Sequence, residues 1–377
     1  MLKMSTNFSW EQKKDHMTER IYNFAAGPAV LPLPVLEEAR ENLLALPGVG
    51  MSILEISHRS KPFDEILDST AAGIRKLGNI PDNYQVLFLQ GGASMQFSMV
   101  PMNLLPPGGL ADYIVTGSWS KKAIKEAQRV GKVNIAGSTE AGGFRRIPAR
   151  DEIKLDPEAA YLHFTSNNTI YGTQWKSEPD AGDLPLIGDT SSDMFSRPID
   201  VRRYALIYAG AQKNLSAAGL TLVIIRDDML QRSPGNLPTM LDYNTYAKNR
   251  SLYNTPPVFA IYLMGLVMKW IDAQGGLAEI GRRNEEKAKV LYDAMDSTEF
   301  YRGHATPDSR SLMNLTFRLP SEDLEKRFIS EATKAGFDGL KGHRSVGGCR
   351  ASIYNAFPKQ GVEALASFMK EFERTNG

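Results

Sequence analysis

The chain has 377 residues, with 44 Lys and Arg against 43 Asp and Glu and a formal net charge of +1. It therefore offers no field to draw in nucleic acid or an anionic membrane, and any anion it binds has to be captured locally. One cysteine, Cys349, excludes an internal disulfide framework and a cysteine-rich zinc site, and no metal-binding pattern replaces them. The setting read from this is reducing and cytoplasmic.

Residues 1–20 are polar and mixed in charge, unlike a signal or transit peptide, and read as an N-terminal extension. No apolar run has the length of a membrane-spanning helix. Through the middle of the chain short apolar runs recur at 84–89, 112–115, 160–164, 185–188, 204–209 and 220–225. They are rich in Val, Ile, Leu and Tyr without clean alternation, as strands covered on both faces are. Most are followed by small or polar residues and then by helical spacing, so the expectation is an α/β fold with a mostly parallel, doubly wound sheet. Ligands in such sheets collect beyond the carboxyl ends of the strands, which makes the residues just after each run the place to look for chemistry. From about residue 258 the pattern changes to helices at 258–274 and 276–297, a strand at 311–319 and helices at 321–335 and 360–374. This reads as a smaller α+β domain, to which residues 27–34 return as a strap.

The first run leads into Gln90-Gly91-Gly92-Ala93-Ser94, a glycine-opened helix start. It suits a tight turn, and its exposed N–H groups also suit a phosphate, although it is neither GxGxxG nor a P-loop. The second leads into Thr116-Gly117-Ser118-Trp119, where an indole at the mouth of the sheet either packs or stacks on a flat ring. The third ends in Ser166-Asn167-Asn168-Thr169 and the fourth in Gly188-Asp189-Thr190. There Asp189 is a helix cap or a carboxylate in the crevice. The fifth ends in Gly210-Ala211-Gln212-Lys213, setting a lysine among small residues where ligands bind. A solvated loop lysine is one reading. The other is a desolvated amine that loses its proton easily and acts as a nucleophile. Taken together, a phosphate cradle, a ring face, a partner for a ring nitrogen and an amine for an aldehyde are the four handles of pyridoxal phosphate.

These segments resemble the phosphoserine aminotransferases, a family of fold-type I pyridoxal-phosphate enzymes. The matching stretches are YNFAAGPAVLP, EISHRSKPF, LFLQGGASMQF, GSWSKKA, NNTIYG, GDTSSD, YAGAQKN, YNTPP and KGHRSVGGCRASIYNA, spanning about residues 21 to 358. The resemblance implies a seven-stranded, mostly parallel sheet in a large cofactor domain at 33–275. It also implies a small domain formed from 21–32 and 276–377.

It makes Lys213 and Asp189 the catalytic pair, with Lys213 bonded to the cofactor aldehyde and Asp189 on the ring nitrogen. Trp119 stacks on the ring, Thr169 and Gln212 help hold it, and Ala93 and Ser94 hold the phosphate. Asn254 and Thr255 reach the cofactor phosphate of a neighbouring subunit, so a homodimer with shared active sites is implied. His58 and Arg59 from the neighbour, with His343 and Arg344, read the substrate phosphate, and Arg350 takes the α-carboxylate.

The implied reaction exchanges an amino group between O-phosphoserine with 2-oxoglutarate and 3-phosphohydroxypyruvate with glutamate, in serine biosynthesis. A phosphorylated threonine analogue on the route to pyridoxine is a compatible second substrate. The alternative is another enzyme of the same class, such as an alanine–glyoxylate type aminotransferase. Two positions depart from the pattern: Ser94 stands where some members carry arginine, and Ala26 where others carry serine.

Overall fold

The computed structural model describes residues 20–377, so all but one residue of the expected 1–20 extension lie outside the described residues. Seven strands make the principal sheet: β1 (Tyr84–Leu89), β2 (Leu110–Val115), β3 (Lys132–Ser138), β4 (Ala159–Thr165), β5 (Leu186–Asp189), β6 (Leu206–Gly210) and β7 (Thr221–Arg226). Their spatial order is β1-β7-β6-β5-β4-β2-β3. β7 pairs antiparallel with both β1 and β6, while the other neighbours pair in parallel. Six strands therefore end at one edge, and the residues that follow them converge there.

Six of the seven strands coincide with the apolar runs in the sequence. β3 does not: it lies at the sheet edge beside β2 and reads KVNIAGS, with Lys132, Ile135 and Ser138 exposed, whereas the opposite edge strand β1 is largely covered and apolar. Because β3 is open to solvent, with Ile135 46% exposed, it carries no continuous hydrophobic signal.

The βα alternation is also only partly realised. Helices Gly92–Leu104 and Ser118–Ala127 follow β1 and β2. After β4 comes instead a small hairpin that pairs Asn167–Asn168 with Thr173–Gln174. Turns follow β5 and β6. The cause is tertiary: Ser192 Oγ donates to Asn167 O at 2.9 Å and Ser216 Oγ to Ala260 O at 2.6 Å, tying these turns to main chain far along the sequence. Short polar side chains that bond the backbone in this way compete with helix formation.

One face of the sheet is covered by helices Lys61–Gly78 and Val258–Ala273, which bring Leu67, Ile74, Ile261 and Met264 into the core. They pack so closely that a Cβ on Gly265 would lie 2.5 Å from Thr70 Oγ1. The other face buries Phe97, Tyr113, Ile124 and Tyr208.

A third core, built on Leu291, Phe317, Phe328, Leu365 and Phe372, also contains Phe24 from the start of the described chain. It backs an antiparallel sheet of Arg302–Gly303, Asn314–Arg318 and Cys349–Ser352. Tyr22–Asn23 pairs in parallel with Phe337–Asp338, and Ser352 N donates to Phe24 O at 3.1 Å. A few residues later Ala29 N donates to Gln212 O at 2.8 Å. The returning strap thus runs over 22–29, since Leu33–Asn42 is already helix, and it ties the third core to the loop after β6.

Candidate active site

A cavity of about 320 Å³ opens at the edge where the strands end, and among the residues around it are Ala93, Ser94, Trp119, Thr169, Asp189, Gln212, Lys213, His343 and Arg350. A larger cavity of about 900 Å³ lies elsewhere, beside Arg146, Arg150, Glu178 and Asp308. Three of its arginines are already paired, with Glu152, Asp180 and Glu178, and no lysine or carboxylate of the predicted set borders it. Size and chemistry therefore point to different cavities, and the chemistry selects the smaller.

Lys213 is carried by the turn after β6, under the strap: the position of a Cβ on Gly27 would be 3.7 Å from the Lys213 side chain. Its ammonium lies 5.9 Å from the Trp119 ring centroid. Desolvation pulls its pKa from 10.5 down to about 8; nearby Arg350 acts in the same direction, while Asp189 and Asp193 oppose it. A solvated loop lysine is ruled out. Asp189 closes β5 and is 5% exposed, and burial raises its pKa against the hydrogen bonds from Ser191, whose N–H donates at 3.0 Å. It is a buried carboxylate without an ion-pair partner among the described residues.

Trp119 sits in the first turn of helix Ser118–Ala127 and is fixed by donation from Nε1 to Thr169 Oγ1 at 3.0 Å. Arg350 Nη1 donates to Thr169 O at 3.0 Å, while its buried Nε has no partner. Gly91 and Gly92, at φ of +89° and +65°, turn the chain so that helix Gly92–Leu104 begins at the cavity. Its first N–H groups, including those of Ala93 and Ser94, have no intrahelical acceptor, and no side chain caps them.

This donor set fits pyridoxal phosphate. Free N–H groups at a helix start suit the phosphate and the indole suits the ring. A buried, unpaired carboxylate calls for a cationic ring nitrogen, and an amine of lowered pKa suits an aldehyde. Among the described residues no group of three or more His, Cys, Asp or Glu is placed to hold a metal ion.

Five predicted residues are not brought to this cavity: His58, Arg59, Asn254, Thr255 and Arg344. Arg59, Thr255 and Arg344 are exposed. His58 Nε2 and Asn254 Oδ1 are buried without a hydrogen-bond partner. The segments holding His58 and Asn254 also expose large apolar side chains, with Leu54 61% and Tyr253 50% exposed.

Sequence reasoning missed several groups at the site. Asp193, a second buried carboxylate, accepts from Ser166 Oγ and from Gln174 Nε2 at 3.0 Å. Its place in GDTSSD was visible, but the partner at 174 was not. Lys122 Nζ lies 4.3 Å from the Trp119 ring centroid, a contact that helical spacing within GSWSKKA could have suggested. Ser191 Oγ accepts from Gly210 N at 3.1 Å and so locks the turn after β5 to the end of β6. Asn167 donates to Ser192 Oγ and Asn314 Oδ1, both at 2.8 Å, joining the sheet edge to the third core.

The aminotransferase class-V family profile matches residues 21–365. The phosphoserine aminotransferase of Desulfosudis oleivorans is 59% identical over 363 residues, covering 96% of this chain and 100% of that one. Among solved structures, the phosphoserine aminotransferase of Bacillus circulans subsp. alkalophilus superposes with a TM-score of 0.93 at 53% identity, over 95% of this chain and 99% of that one. The PLP-bound enzyme of Trichomonas vaginalis superposes with a TM-score of 0.89 at 42% identity, over 93% and 100% of the respective chains.

Proposed function

The chain belongs to the class-V aminotransferases and within them to the phosphoserine aminotransferases, and from that membership we infer that it catalyses reversible, pyridoxal-phosphate-dependent transamination. The substrates are O-phosphoserine with 2-oxoglutarate in one direction and 3-phosphohydroxypyruvate with glutamate in the other, a step of serine biosynthesis. The observation that carries the reading is the meeting of Lys213, Asp189 and Trp119 in one cavity at the carboxyl edge of the sheet.

When bound, pyridoxal phosphate supplies an aldehyde for the amino group and a ring that accepts the electron pair left as the substrate Cα–H bond breaks. With the cofactor bound, the Lys213 amine, its pKa drawn down to about 8, would be the group that bonds the aldehyde and, when freed from it, the general base and acid for the substrate Cα proton. Asp189, a carboxylate 5% exposed, would then hold a proton at the ring nitrogen. Trp119 would lie against the ring and, with the strap over Lys213, would limit water at the reacting atoms. Thr169 orients Trp119 and Arg350 through the two contacts above, and Gln212 steadies the lysine's turn. The N–H groups of Ala93 and Ser94 take the cofactor phosphate. Arg350, which borders the cavity and whose buried Nε has no hydrogen-bond partner, would take the substrate α-carboxylate as a planar fork of donors.

The substrate phosphate falls to His343 and Arg344 together with His58 and Arg59 of a second copy of the chain, and Asn254 and Thr255 serve the second copy's cofactor. What supports this reading is that the segments holding His58 and Asn254 expose Leu54 and Tyr253 and leave His58 Nε2 and Asn254 Oδ1 buried without a partner, features of a surface completed by association. We accordingly take the working form to be a homodimer with shared sites. We place it in the cytoplasm, and we take 33–275 and 21–32 with 276–377 as its two domains. Among the described residues no helix is long and apolar enough to cross a membrane. The deciding experiment is a transamination assay with phosphoserine and 2-oxoglutarate: formation of glutamate supports the assignment. Preference for alanine and glyoxylate would move the chain to another activity of the class.

A further inference from the structure

Lys287, in the middle of helix Gly276–Asp296, is 3% exposed and has no carboxylate partner among the described residues. Its Nζ instead shares its three N–H bonds among four main-chain carbonyls: Tyr354 O at 2.7 Å, Ile353 O at 3.1 Å, Phe357 O at 3.2 Å and Asn355 O at 3.4 Å. Desolvation, with Arg283 nearby, pulls the Lys287 pKa from 10.5 down to about 7, but the carbonyl oxygens facing its Nζ favour the protonated form, and buried acceptors left without a donor are costly.

The segment so gathered is not remote from the chemistry. It continues directly from strand Cys349–Ser352, which carries Arg350. Tyr354 OH donates to Ala26 O at 2.8 Å in the strap above the cavity. Asn355 N donates to Asn214 Oδ1 at 3.0 Å, beside Lys213, and Asn355 Nδ2 donates to Phe195 O at 2.8 Å.

We propose that Lys287 is a positioning residue for transamination, a tethered cation whose carbonyl cage holds residues 353–357 where they set Arg350, the strap and the Lys213 turn relative to one another. Its kinetic consequence rests on the functional reading above; the cage itself does not. A cavity of about 340 Å³ lies beside the cage, bordered by Lys287, Asn355, Phe357 and Glu286.

The test pairs Lys287→Ala, which empties the cage, with Lys287→Met, which keeps most of the volume and removes the charge. Both should retain the absorption band of bound cofactor, because Lys213 is untouched. In both, KM for phosphoserine and for glutamate should rise and kcat/KM should fall by about 10- to 100-fold, as expected when a binding group is displaced by about 1 Å. Adding n-propylammonium to Lys287→Ala should recover most of that loss while n-propanol does not, and crystals of this variant soaked in a rubidium salt should show the ion among the four carbonyls.

KM values within about twofold of the parent in both variants would overturn the proposal, whatever happens to Tm. So would equal rescue by propanol, which would make Lys287 a space filler. If Lys287→Ala does not fold, Lys287→Met decides alone by the same KM criterion. Should the parent prove to use a different amino donor, the functional reading fails, and the comparison made with that donor, with the rubidium site, still decides this proposal.

Discussion

Replacing Lys213 by methionine should stabilise the cofactor-free protein at neutral pH while abolishing activity. The magnitude comes from the burial of the ammonium. A fall in pKa from 10.5 to about 8 on folding is equivalent to about 3 kcal/mol, at ~1.4 kcal/mol for each tenfold change in proton affinity. Because the folded pKa is the lower one, the unfolded chain binds the proton more tightly. The penalty is therefore complete below about pH 8, declines as pH rises, and is gone above the ordinary lysine value. Lys213 borders a cavity that water can enter, so the realised gain on substitution should be about 1 to 3 kcal/mol. The assay is urea unfolding of the cofactor-free parent and Lys213→Met at neutral pH and at about pH 10, where the difference should shrink to under ~1 kcal/mol. Borohydride reduction of the loaded parent, followed by peptide mapping, should place the pyridoxyl group on Lys213. A variant no more stable than the parent at neutral pH, or a stability difference that does not change with pH, would refute the argument that this amine is held desolvated for reaction.

Arg350→Ala should lower kcat/KM for phosphoserine and for glutamate alike by roughly 100-fold or more, since a charge-assisted fork to the α-carboxylate is lost, whereas Arg344→Ala should penalise phosphoserine by about tenfold or more and spare glutamate. Equal losses for both substrates in Arg344→Ala would remove that arginine from phosphate recognition. Sedimentation should show a dimer, and Leu54→Asp, on a side chain 61% exposed in the single chain, should shift it toward monomer with loss of activity; a fully active monomer would show that each site is complete within one chain.

Much of this molecule is legible in its sequence for a simple reason: strands buried on both faces must be apolar throughout, so six of the principal strands announce themselves as short runs of Val, Ile, Leu and Tyr. Their ends are marked by residues whose chemistry is local, such as Gly91 and Gly92 at a helix start and Lys213 among alanines and glycines. What the linear pattern could not carry is whatever depends on neighbours distant along the chain. The edge strand Lys132–Ser138 is absent from the apolar runs because Lys132, Ile135 and Ser138 face solvent, while the other edge strand, Tyr84–Leu89, is covered and apolar. The turns after β5 and β6 defeat the expected helices because their serines bond residues tens of positions away, as Ser192 does with Asn167. Tertiary structure alone decided that Asp193 is buried against Gln174 and that the strap reaches Gln212 from residues 22–29. It alone placed Lys287 in a cage of carbonyls some 70 positions along the chain. In sequence that lysine is one of several charges on an amphipathic helix. Its burial exists only because the 353–357 segment folds back across it, and a solvated ammonium becomes a structural cation when the oxygens around it are no longer water.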